Sequence, residues 1–144
     1  MTTGVELERK LGEALHGVAR FEKTARGLTF SRLPEWTYQQ HSHAPIVAKM
    51  AERLSGVHID IETAATKIKV TYRSLRDSNP TTNWMSGPST IAVTTEGFEQ
   101  SISHTNGDMR VWNFDVIEQD IEGEDSVAEF ELPPTDKTRL VQIW

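Results

Sequence analysis

Cysteine is absent from the chain, which removes disulfide scaffolds, thiolate metal sites and cysteine nucleophiles from the functions open to it. Positive charge is in short supply: 15 Lys and Arg stand against 21 Asp and Glu, a formal charge of −6. Non-specific nucleic-acid binding needs a positive face, so no nucleic-acid partner is expected. No run approaches the ~18–20 apolar residues of a membrane span, and no charged-then-apolar leader opens the chain. The expectation is a cytoplasmic protein with no membrane partner. Catalytic signatures are missing too. There is no Gly-x-Ser-x-Gly elbow and no glycine-rich phosphate loop, and Gly123-Glu124-Asp125-Ser126 has one residue too many to be a Gly-Asp-Ser block. No catalytic residue is assigned, and no cofactor is expected.

What is present suits a folded domain. A chain of 144 residues with 37% apolar content can bury a core, and its four Trp and five Phe can anchor one. One domain spanning residues 1–144 is expected. Between Val5 and Val18, Leu7, Leu11, Ala14, Leu15 and Val18 share a helical stripe, with Glu6, Arg9, Lys10 and Glu13 opposite. This predicts a short amphipathic helix over about residues 5–18.

After Gly27 the period becomes two. Val57, Ile59 and Ile61 alternate with polar residues, as do Ile68, Val70 and Tyr72, and the short link through Thr63 and Thr66 predicts that these two runs pair as antiparallel neighbours. Further alternating runs are Ser89–Thr95, Phe98–His104, Met109–Asp115, Val127–Leu132 and Arg139–Trp144. Asn106-Gly107 predicts a hairpin, because both residues tolerate positive φ. Glu96-Gly97 is a second turn signal. The implied fold is all-β: an antiparallel β-sandwich or jelly roll with a short N-terminal helix.

Candidate sites are of three kinds. His41-Ser42-His43 has metal-ligand spacing, since residues two apart on a strand share a face; His58 and Asp60 repeat it, and His104 could add a ligand. Against this, Pro45 places His41 and His43 in a loop, and His58 and Asp60 occupy the polar side of their strand. Secondly, the stretch from Asp115 to Glu131 holds eight acids and no Lys, Arg or His. Glu118, Asp120, Glu122, Gly123 and Glu129 match the spacing of an EF-hand loop, but Glu in the first position and flanking strands exclude that motif. A looser calcium loop and a solvated acidic loop that discourages edge aggregation both remain. Thirdly, Trp36 and Trp84 are candidate platforms for a sugar ring or another ligand. Trp84 is read as a loop residue, where burial as a cap on the sandwich is favoured over a surface platform, while Trp112 and Phe114 share a strand face and read as core.

The segment from Gly27 through Leu33-Pro34-Glu35-Trp36-Thr37 to Gln39 resembles the opening of the N-terminal β-domain found in some SGNH (GDSL-like) hydrolases. Ser55-Gly56-Val57-His58-Ile59-Asp60-Ile61 and the residues to Ile68 resemble the strand pair that follows, and Val141-Gln142-Ile143-Trp144 is similar to the strand leading toward the catalytic domain. The resemblance implies a jelly-roll-like ancillary domain that precedes a flavodoxin-like esterase domain with a Ser-Asp-His triad. Such parents act on acylated carbohydrates or related esters. Neither the Gly-Asp-Ser block nor any Asp-x-x-His occurs here, so the family's catalytic residues have no counterpart in this chain. The expectation is the N-terminal part of a longer hydrolase, with the catalytic domain as its partner in cis, a carbohydrate or acyl ester as the substrate, and a homodimer as a further possible assembly. An independent carbohydrate-binding sandwich and a small metal-binding β-barrel are the alternatives.

Overall fold

The computed structural model describes residues 4–40, 53, 56–114 and 116–144. Along the chain run α1 (Gly4–Ala14), β1 (Leu15–His16), β2 (Arg20–Thr24), β3 (Gly27–Ser31), α2 (Glu35–Gln40), β4 (His58–Thr63), β5 (Lys67–Tyr72), β6 (Leu75–Asn79) and a 3-10 turn (Pro80–Thr82). There follow β7 (Trp84–Met85), β8 (Ser89–Thr95), β9 (Phe98–His104), β10 (Asp108–Asn113), β11 (Val116–Ile121), β12 (Ser126–Glu131) and β13 (Arg139–Ile143). The protein is all-β with a short N-terminal helix, the class that the alternating runs imply. Among the described residues no helix is long and apolar enough to cross a membrane. The chain forms two compact units: Met1–Ile61 together with Gln142–Trp144, and Glu62–Val141.

In the first unit the helix stops at Ala14, four residues before the expected end. Leu15 and His16 instead pair antiparallel with Ile59 and His58 of β4. Gly17 then takes φ +74°, and a Cβ there would lie 2.6 Å from the Gly56 carbonyl oxygen. The close approach of the two backbones therefore requires glycine, and strand pairing overrides the helical stripe. β2 and β3 form a hairpin from Arg20↔Ser31 to Thr24↔Gly27. Its turn is fixed by Thr24, whose hydroxyl donates to the Gly27 carbonyl and accepts from the Arg26 N–H. Arg20 Nη1 reaches Glu35 at 3.2 Å, and the Ser31 hydroxyl lies 2.8 Å from that of Tyr38, so α2 is tied to the hairpin at two points.

The second unit has its own core: Ile68, Val93, Trp112, Ala128, Phe130, Leu132 and Val141 are buried. β12 shows the period of two most plainly, with Ser126, Ala128 and Phe130 inward and Val127, Glu129 and Glu131 outward. It pairs antiparallel with β5, setting Glu129 opposite Lys69 and Glu131 opposite Lys67, with ion pairs of 3.4 and 3.1 Å. The linker after Thr63 therefore closes no hairpin, because β5 takes its partner from β12. β8 and β9 are joined by a hairpin at Glu96-Gly97, Gly97 having φ +69°. β8 is flanked on its other side by β13, whose Leu140 carbonyl accepts from the Thr95 hydroxyl.

The hairpin expected at Asn106-Gly107 is not formed. β9 lies beside β8, whereas β10 lies between β11 and β6, and the β6–β10 pair is parallel. Gly107 has φ +118°, and a Cβ there would collide with the carbonyl and hydroxyl oxygens of Ser74. Ser74 pins the crossover by donating to the Asn106 carbonyl and accepting the Asp108 N–H. The left-handed glycine was legible, but it serves a change of sheet. Phe114 is also corrected: it follows β10 with φ +54° and is exposed, whereas Trp112 is buried with its indole N–H 2.8 Å from Asp77. A register shift between Val111 and Trp112 alters the alternation along β10.

Candidate functional site

β1, β4 and the last residues of the chain bring five side chains together in the first unit. His16 and His58 face each other directly in the β1–β4 register, and Asp60 follows His58 on the same face of β4. Nε2 of His16 lies 3.3 Å from Asp60 Oδ2, and Nε2 of His58 lies 3.6 Å from Asp60 Oδ1. Gln142 Nε2 donates to Oδ1 at 3.1 Å and so orients the carboxylate.

The His58 ring is held by stacking on both faces. Its centroid is 4.9 Å from that of His16, with 17° between planes, and 4.2 Å from that of Trp144, with 28°. Its Nδ1 is buried without a hydrogen-bond partner. His16 is half-exposed, and the His58 and Asp60 side chains are mostly covered. Two imidazole nitrogens and a carboxylate oxygen thus lie within 4.8 Å of one another, with one side open to water.

Comparison with protein-family models, curated proteins and solved structures returns no match.

Of the residues singled out in the sequence, His58 and Asp60 belong to this cluster. The missing member is His16, which the helical stripe concealed by running through residue 18. His104 lies in the other unit, where its Nδ1 is 2.9 Å from the Tyr72 hydroxyl. Burial raises the Tyr72 phenol above its ordinary pKa. His41 and His43 lie outside the described residues.

The acidic tract is partly strand: Glu118 and Asp120 sit on β11 rather than in a loop. Arg110 engages Asp120 with two nitrogens, at 2.8 and 3.2 Å. Arg73 gathers Asp125 at 2.6 Å, Glu122 at 3.2 Å and Asp108 at 3.9 Å. Asp108 also accepts the N–H of Gly123, where a Cβ would collide with the Gly107 carbonyl. Arginine is therefore the cation set among Asp120, Glu122 and Asp125. The two tryptophans are both exposed but belong to different units. Trp36 is on α2 at 59% exposure, and Trp84 is on β7, paired with Asn79, at 44%. Trp84 thus lies exposed on a short strand and not in the loop, nor buried as a cap, as the sequence suggested.

Proposed function

We propose that the chain is a non-catalytic β-domain of an SGNH-type hydrolase, which packs on a catalytic domain of the same polypeptide and shapes its cleft for an acylated carbohydrate or related ester. The observation that carries this reading is the convergence of the three family-like segments. Residues 27–39 build β3 and α2, residues 56–61 lead into and form most of β4, and Gln142–Trp144 close on β4 through Gln142–Asp60 and Trp144–His58. The first segment and these parts of the other two fall in one compact unit, although about eighty residues separate the last from the others in sequence; residues 62–68 and Val141 belong to the second unit. A strand leading onward from that unit would start from a fixed position. The exposed Trp36 on α2 offers an aromatic anchor of the kind that inter-domain contacts use near their centres.

The test is the reading frame beyond Trp144. The expected result is an in-frame Gly-Asp-Ser block followed by Asp-x-x-His; a frame encoding neither overturns the proposal. In the longer polypeptide, Trp36→Ser should lower kcat/KM on a p-nitrophenyl ester, while residues 1–144 alone should give no saturable turnover. Exposed Trp84 and Met85 on the short strand β7 support a second reading, an independent sugar-binding module. Glycan-array binding that Trp84→Ala abolishes, by a chain with no hydrolase partner, would favour it.

A further inference from the structure

We infer that His16, His58 and Asp60 form a binding site for a divalent late first-row transition metal, Zn²⁺ foremost. The two His–Asp contacts, 3.3 and 3.6 Å, exceed the ~2.7–2.9 Å of a charge-assisted hydrogen bond. The contact from His16 to Oδ2 matches the separation of about 3.3 Å between neighbouring ligand atoms on a tetrahedral ion with bonds near 2.0–2.1 Å, and one ligand atom from each of the three residues lies within 4.8 Å of the others. Two imidazoles direct the same ring nitrogen at one carboxylate, a donor set that suits Zn²⁺, Co²⁺ or Ni²⁺ better than the hard, all-oxygen preference of Ca²⁺ or Mg²⁺.

The site is also built rather than merely crowded. The Gly17–Gly56 approach sets β1 against β4, so His16 and His58 are placed by backbone pairing. Gln142 fixes the Asp60 carboxylate by occupying Oδ1, which leaves Oδ2 toward His16. Trp144 and His16 clamp the His58 ring by stacking. Three protein ligands and an open, half-exposed side give a site whose remaining position belongs to water or an incoming anion. This inference is independent of the proposed hydrolase role.

Chelator-stripped protein, the full 144-residue chain, would be titrated with ZnCl₂ by calorimetry and with CoCl₂ by visible absorption. The expected result is one Zn²⁺ per chain and Co²⁺ d–d bands of a four- or five-coordinate N/O site. Gln142→Ala should weaken binding about 10-fold, the usual effect of losing a group that orients a ligand. His16→Gln, His58→Gln and Asp60→Asn should each weaken it further, and the double variant His41→Ala/His43→Ala should bind as the parent does. Because His16 is half-exposed, His16→Gln should keep the parent's far-ultraviolet circular dichroism and decides the matter even if the other variants fail to fold. No saturable heat and no Co²⁺ bands, or undiminished affinity in His16→Gln, would overturn the assignment.

Discussion

Trp144 lies flat on His58, with ring centroids 4.2 Å apart and 28° between planes. The last residue of the chain is thereby held to the first residue of β4, and the neighbouring Gln142–Asp60 hydrogen bond fixes the same junction. Trp144→Ala should lower stability by roughly 0.5–1.5 kcal/mol for the ring pair, plus the apolar area lost with the indole. Urea denaturation followed by circular dichroism measures this. An unchanged midpoint would mean that the stack contributes nothing to folding.

The second unit should respond very differently on the two faces of β12. Phe130 is 1% exposed, and Phe130→Ala should cost about 3–5 kcal/mol through lost burial and the cavity left behind. Its neighbour Glu129 pairs with Lys69 in solvent, so Glu129→Ala should cost at most ~1 kcal/mol. A larger cost for Glu129→Ala than for Phe130→Ala would mean that the inward and outward faces are reversed.

That alternation was readable in the sequence, as were β8 and β9, because period two and the Glu96-Gly97 turn are local signals. What was not readable was partnership. Gly107 announced a positive φ but could not say that β9 and β10 join different sheets, since the deciding contact is with Ser74, far back in the chain. The same limit hid the cluster at Asp60. His58 and Asp60 stood out by their spacing, yet His16 becomes their neighbour only because Leu15 and His16 leave the helix to pair with β4. Phe114 misled for a local reason, the register shift that interrupts the alternation before it. The parallel β6–β10 pair also lacked a signal, because Leu75–Asn79 is polar and short.

Two glycines beside the cluster separate backbone strain from collision. Gly56 has φ +80° with open space around its missing Cβ, whereas Gly17 combines φ +74° with the Gly56 carbonyl oxygen 2.6 Å from where a Cβ would lie. Gly56→Ala should therefore cost about 1–2 kcal/mol, the ordinary penalty for a left-handed L-residue. Gly17→Ala should cost more, because β1 must also withdraw from β4. Chemical denaturation of the two variants should rank them in that order. The reverse order would mean that β1 does not approach β4 this closely.

Tyr72 gives the protein an alkaline limit whose sign follows from its burial. The phenol is neutral in the folded state, hydrogen-bonded to His104, and burial raises its pKa above the ordinary value of about 10. As pH rises past ~10 the unfolded chain releases this proton first, so the folded state binds more protons than the unfolded one. The stability linked to Tyr72 is therefore fully present below pH ~10 and is lost as pH rises through the folded-state pKa. Tyr72→Phe removes the titration and, at neutral pH, forfeits about 1 kcal/mol with the hydrogen bond to His104. Melting curves across the alkaline range should show the parent more stable at neutral pH, with the gap narrowing above pH ~10 as only the parent loses this contribution. Parallel curves would mean that the phenol titrates alike in the folded and unfolded chain.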